Sequence, residues 1–496
     1  MTRRLRSNRS HEEGAALILA VLFVLALSAV GSAMVVLSRT EVLSSLNYRM
    51  MSQSRYAAES GVHAAINHLL LNYPKPGTVG DPLANYDTTV SPVRFNGQPV
   101  VLSAATGVAA NYPNAAAQTA FAAAAQGTLP VGSTSVSYQA SATLLSMRAI
   151  TSYGTNVTTV VQTWSITGVG SITGVSSSTV EVSAVLEQQI VPAYTYAAFA
   201  TNAGCGALSF AGGVHTDSYD SSNMTLVGGY PATDNNGGNV GTNGNLTESG
   251  GSIINGSLST PRAGVGNCKS GAVTALTQNG GATVTGGVVT LPQSVTYPAP
   301  ALPDPMPPTT VVTVNSSSTC ASIGLVAAQC SGGANEFTFN ASASAVSLGN
   351  VNVVGGATLH LTAGDYNFNS LTLAGGSHLI IDSGPVVLNV AGASIATPVD
   401  LTGGTTANTT FDPSLFRIQY AGTGTVMLAG GAHVSATIYA PNASAQLTGG
   451  SHFYGSVLAA NVDVNGGTYI HYDRRLGQTF YTAGNNMLTS FTWKKF

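Results

Sequence analysis

The sequence predicts a mainly β protein with one long N-terminal α-helix. The helix joins an antiparallel sheet, and a glycine-rich β-solenoid (β-helix) follows. Three observations carry this. An uncharged apolar run, Ala15 to Leu37, passes without a break into apolar residues at three- and four-residue steps. Residues 133–196 alternate apolar and polar side chains in the manner of half-buried strands. Beyond Ala197, Gly-Gly pairs come to recur at close to twenty residues, a period that suits coils burying their apolar side chains by stacking.

The helix comes first. Residues 1–14 hold Arg3, Arg4, Arg6 and Arg9, then Glu12, Glu13 and Gly14. The run 15–37 is long enough to cross a bilayer once at about 1.5 Å per residue, and the arginines before it place the N-terminus on the cytoplasmic side. Over 38–71 the positions Val42, Leu46, Met50, Ala57, Ala58, Val62, Ala65, Ile66, Leu69 and Leu70 form an amphipathic stripe, which Pro74 and Pro76 end. The helical segment 15–73 would be roughly 85 Å long. A secretory signal peptide suits this pattern poorly, because the apolar run is too long and unbroken at its far end. A plain signal anchor shares the run. A leader cut between Gly14 and Ala15, ahead of the apolar stretch, accounts best for the glycine at the charged–apolar boundary.

The stretch Glu-Glu-Gly-Ala-Ala-Leu-Ile-Leu-Ala-Val-Leu-Phe-Val-Leu-Ala-Leu (12–27) resembles the start of PilX-type minor pilins, assembly proteins of type IV pilus systems. Tyr48-Arg49 and Tyr56-Ala57-Ala58-Glu59-Ser60-Gly61 are similar to two further stretches of that family, so the resemblance covers about residues 12–70. It implies cleavage by a prepilin peptidase and packing of Leu17, Leu19, Val21, Phe23 and Leu25 in a membrane and then in a filament core. Its partners would be other minor and major pilins and the inner-membrane assembly machinery. Major pilins of the family carry a glutamate at the fifth place after the scissile glycine, where this chain has Leu19. A buried carboxylate needs an ionic partner, which the neighbouring amine supplies in that family. Its absence, also familiar in K-type pseudopilins, points to a tip or priming subunit.

Composition places the rest outside the cytoplasm. Only 7% of residues are charged, against about a quarter in typical domains. The net charge of −3 and the scarcity of Lys and Arg argue against nucleic acid as a partner. The four cysteines, Cys205, Cys268, Cys320 and Cys330, all follow the apolar run, as an oxidising periplasm or exterior allows. Three pairings are open, of which Cys320–Cys330 with Cys205–Cys268 is preferred. A zinc site would want a C-x-x-C pair, which is lacking.

Residues 74–196 are expected to be a pilin-like β region, with a short helix over Asn114 to Ala125 and strands around Val136–Leu144, Val157–Val169 and Val180–Leu186. Residues 197–290 read as a Gly/Asn-rich β region. Residues 291–336 hold Pro292, Pro298, Pro300, Pro303, Pro305, Pro307 and Pro308, a stiff extended connector, and then the Cys320–Cys330 segment. In 337–478, Leu373-Ala374-Gly375-Gly376-Ser377-His378 recurs as Leu428 to His433 and as Leu447 to His452. Ile438–Ala443 and Val457–Val462, nineteen residues apart, look like equivalent rungs. This part resembles the glycine-rich domains appended to PilX-type proteins. The tail 479–496, with Phe480, Tyr481, Phe491, Trp493 and Phe496, is expected to cap the open end of the solenoid.

Few patterns suggest chemistry. His378, His433 and His452 share one place in their repeats, a half-exposed position after a turn, with a metal-binding ladder as the sharper alternative. Asp217, Asp220 and Asp234 lie among asparagines and glycines, where oxygen ligands could take calcium, although the spacing matches no familiar calcium loop. Otherwise no cofactor is implied. The carboxylates of the repeat region are thinly spread and Arg417 is the lone cation between Phe337 and Asp473, so no enzyme is expected. The expected function is a minor pilin or pilus-assembly subunit at or near the filament tip. It would present its head for assembly priming or for adhesion to a surface or a carbohydrate ligand. It would reside in the bacterial inner membrane, single-pass, before assembly, and in the periplasm and surface pilus afterwards. The alternatives are a static signal-anchored envelope protein and a surface carbohydrate-active β-helix enzyme.

Overall fold

The computed structural model describes residues 12–78, 80–131, 134–155, 157–173, 177–429 and 433–495. The protein is mainly β with one long N-terminal helix. It divides into two compact units: Met1–Arg148 with Gln162–Glu187 and Asn486–Phe496, and Ala149–Val161 with Gln188–Asn485.

The first unit pairs the helix Glu12–Leu71 with a six-stranded sheet. The helix stops short of Pro74, as proline punctuation requires. Its face Ala57, Ala58, Val62, Ala65, Ile66 and Leu69 is buried. Antiparallel ladders join strand Thr134–Thr151 to Val101–Ser103 and Gln126–Val131, and Thr158–Ile172 to Ser178–Pro192. Two glycines of strand Thr158–Ile172 let the helix come close. A Cβ on Gly168 would lie 2.3 Å from the Ala58 carbonyl oxygen, and one on Gly170 1.9 Å from that of Ser54. Ser54 Oγ donates to the Ser178 carbonyl at 3.0 Å. The alanine-rich piece forms helix Ala115–Ala124, capped by Asn114, whose side chain accepts from the Ala117 N–H at 3.1 Å.

The second unit is a stack of parallel strands. One unbroken series of register partners runs Val346, Tyr366, Leu388, Ile418, Ile438, Val457, Ala198, Val240, Leu258, Val288. A second runs Val351, Leu371, Val399, Val426, Ala445, Val462, Leu208, Leu246, Leu276. Every member of both series but Val288 is buried. Burying each such aliphatic side chain contributes roughly 1.5–3 kcal/mol. The pairing of Ile438 with Val457 is the nineteen-residue rung equivalence read from the repeat.

The order of layers departs from chain order. Strand His452–Asn465 lies between His433–Thr448 on one side and Ala198–Ala200 with Leu208–Ala211 on the other. Residues 197–290 and 310–473 therefore form one stack, which the chain enters in the middle. The proline-dense passage, read from its composition as a stiff extended connector, does not lead away from the stack: it runs lengthwise along it. Asn243 exchanges two 2.8 Å bonds with the Val295 backbone, and Tyr439 Oη donates to the Pro298 carbonyl at 2.8 Å. Asn367 Nδ2 donates to the Asp304 carbonyl and Asn350 Nδ2 to that of Thr309, each at 2.9 Å. Proline-rich chain cannot complete a sheet, so it lies where side-chain amides can satisfy its carbonyls.

The aromatic tail likewise differs from expectation. Phe480 joins the core of the stack, and strand Tyr481–Lys495 hydrogen-bonds beside Ser178–Pro192 in the six-stranded sheet rather than capping the repeats. Its alternation lets it serve as a sheet strand, with Arg55 over the Trp493 ring at 5.5 Å. Phe496 lies outside the described residues. Cys205 is bonded to Cys268 and Cys320 to Cys330, each with Cα atoms 5.6 Å apart.

Candidate functional site

Two regions carry the residues that the sequence singles out. The first is the N-terminal helix. Residues 1–11 of the expected leader lie outside the described residues, and the helix runs on through Gly14 and Ala15. Leu17, Leu19, Val21, Phe23 and Leu25 are all exposed, between 52% and 68%. The helix is long and apolar enough to cross a membrane by length and composition, which is compatible with a membrane anchor. Leu19 is one more exposed apolar side chain in that row.

The second region is a face of the stack on which rings pile up. His433 and His452 are register partners with ring centroids 4.9 Å apart. Tyr469 pairs with His452 and stacks on it at 4.8 Å, and His215 pairs with Tyr469 at the same spacing. Tyr230, from the hairpin Leu226–Val227/Tyr230–Pro231, closes the far end, 3.8 Å from His433. The spacing between stacked layers in a parallel sheet, about 4.8 Å, brings equivalent side chains to ring-stacking distance. His378 is not part of this column: its Nδ1 lies 2.5 Å from Thr405 Oγ1, on a neighbouring turn of the stack.

Behind the column runs a chain of hydrogen bonds. Asp217 Oδ1 is 2.5 Å from His471 Nδ1, and His471 Nε2 is 2.9 Å from His452 Nδ1. His471 thus bridges the Asp217 carboxylate and the His452 ring, one ring nitrogen to each. Burial, then the neighbouring His471 and His433, lowers His452 to a pKa of about 4, against the opposing pull of Asp217. His433 is also lowered, first by burial and then by His471. These two rings are therefore neutral at pH 7. The chain fixes the orientation of the His471 and His452 rings relative to the strand layers that carry them.

The three aspartates read as calcium candidates do not converge. Asp217 is held by His471, Asp220 accepts from the backbone and hydroxyl of Ser222 at 2.9 and 2.6 Å, and Asp234 pairs with Arg474 at 2.5 Å. Among the described residues no group of three or more His, Cys, Asp or Glu is arranged to hold a metal ion. Each carboxylate is engaged by a partner within hydrogen-bond reach, Asp217 in a buried setting and Asp220 and Asp234 nearer the surface.

Reading the sequence for histidine alone misses His215, Tyr469 and Tyr230. The signal was available for two of them: Gly212-Gly213-Val214-His215 and Gly466-Gly467-Thr468-Tyr469 have the form of Gly449-Gly450-Ser451-His452. His471 and Asp217 follow two places on in their turns.

The ring column lies within residues 335–479 and their stacked neighbours. That span matches a family described as a domain of unknown function, DUF7305. None of the curated proteins matches the chain. Among solved structures, the crystal structure of the competence-associated pilin ComZ from Thermus thermophilus aligns over 90% of this chain and 98% of that one, with 13% identity and a TM-score of 0.23. A likeness at that score carries no argument about this chain.

Proposed function

We propose that this protein is a minor pilin or pilus-assembly subunit of a type IV pilus system, placed at or near the filament tip. The observation that carries the reading is a single continuous helix with two contrasting halves. Ala15–Leu37 is apolar and exposed, and Ala57–Leu69 is packed on an antiparallel sheet. Such a helix can hold a subunit in the inner membrane, N-terminus inside, and later pack against other pilins once the assembly machinery extracts it. Gly14 at the charged–apolar boundary supports cutting by a prepilin peptidase, and Leu19 in place of a glutamate supports a tip position. We read the parallel stack as a β-solenoid head, displayed in the periplasm and then at the cell surface for assembly priming or adhesion, with a structural and not a catalytic role.

The test is the intact mass of the protein from sheared surface filaments, beside protein from cells lacking their prepilin peptidase. The expected result is loss of residues 1–14 only where the peptidase is present. A retained leader on protein that stays with membranes overturns the reading.

A further inference from the structure

One seam interrupts the third face of the stack. Its inward series runs Phe337, Leu359, Leu379, Thr406 and then stops. It resumes as Val434, Phe453, Ile470, Thr216, Ile254, Val284. Among the described residues no strand pairing joins Gly404–Ala407 to His433–Thr448 across the break. A pocket of about 420 Å³ opens there, bordered by Thr405, Thr406, Phe411 and His433 and by the hairpin residues Gly229 and Tyr230. That is within the range of about 300–1,000 Å³ found for small-molecule sites.

We propose that this pocket binds a neutral sugar residue. Thr406 stands at a position that holds leucine in the turn before it, is 2% exposed, and its Oγ1 has no hydrogen-bond partner among the described residues. His433 Nδ1 is also buried, with no partner among the described residues. Each atom is sealed from solvent in a residue that lines the pocket, and a side-chain rotation that turns it to the cavity lets a ligand hydroxyl, donor and acceptor at once, satisfy it. Tyr230 lies flat against His433 with Phe411 edge-on at 6.0 Å, giving an aromatic wall whose negative face attracts the C–H bonds of a sugar ring.

The walls are also preset. Asn408 is held by the Asp412 and Ser435 carbonyls and by Thr410, and Thr405 by His378. Among the described residues, none lining the pocket carries a formal charge while His433 is neutral, so a phosphate or carboxylate finds no counter-ion there. The proposal goes beyond the filament reading and holds whether or not the chain enters a pilus.

The experiment is saturation-transfer NMR on the full chain in detergent micelles. The probes are methyl glycosides of neutral hexoses and N-acetylhexosamines, beside glucuronic acid and hexose phosphates. At least one neutral glycoside is expected to bind. Thr406→Val, which keeps side-chain volume and removes the hydroxyl, should weaken it roughly tenfold. Tyr230→Ala should do so at least as strongly, while Val227→Ser, on the same hairpin but outside the pocket, leaves affinity unchanged. Absence of binding by every neutral glycoside, equal binding of the acidic probes, or unchanged affinity in Thr406→Val overturns the proposal. Leader cleavage in filaments is read separately, so the two readings fail independently.

Discussion

The helix–sheet unit and the parallel stack both depend on glycine, for opposite reasons. At Gly168 and Gly170 the helix backbone occupies the place a side chain would take, and the need is for a missing atom. At Gly376, a corner of the stack, nothing lies within 4 Å of where a Cβ would stand, yet φ is +73°, so the need is for a backbone conformation. The first kind of glycine is a contact residue and the second a hinge. Their substitutions should therefore differ in size and in which unit responds.

The largest effect is expected from Gly170→Val. A side chain there drives into the Ser54 carbonyl, so the helix should leave the sheet. Hydrogen exchange should show amide protection lost over Ala57–Leu69 and kept at Ile438 and Val457. Retained protection on the helix would break the contrast between the two kinds of glycine. Next, Ile438→Ala in the stack should cost about 3 kcal/mol in denaturant unfolding by opening a cavity, with helix protection unchanged. Gly376→Ala should cost only about 1–2 kcal/mol, and Gly376→Asn less, since asparagine tolerates the left-handed region. An equal cost for Ala and Asn would show that space, not conformation, matters at that corner.

A further effect is a slope with pH. Glu248 is buried, its Oε2 accepting from Gln278 Nε2 at 3.1 Å while Oε1 is unpartnered. Burial raises its pKa from 4.5 to about 7, an effect the Gln278 bond partly offsets. Between those values the folded state holds a proton the unfolded state has released. Its contribution to stability is therefore present below pH 4.5 and is lost as pH rises toward 7. The stability of Glu248→Gln relative to the parent should accordingly grow over that window and level off above it. A flat difference would show that the carboxyl titrates normally.

Much of this architecture was legible locally. The apolar run, the stripe that ends before Pro74 and the nineteen-residue rung spacing are short-range patterns, and they map onto the helix Glu12–Leu71 and the Ile438–Val457 pairing. Layer order was not legible, because near-identical repeats carry no address: nothing in Ala198–Ala200 says that its partner is Val457–Ala459. The tail misled for a related reason. Its aromatics suit a cap or a sheet strand equally, and a strand position was open beside Ser178–Pro192. The sugar pocket was illegible because Thr406 means little until its column of register partners is known.

The entry of the chain at mid-stack also has a mechanical meaning. The segment through Ala198 arrives, and the segment through Asp473 departs, in adjoining layers, while both outermost layers continue into the proline passage. A tug on the two ends therefore meets the pairing of Ser178–Pro192 with Tyr481–Lys495 before it reaches the join between those layers. The outer layers, joined through the proline passage, have no loose end from which to unspool.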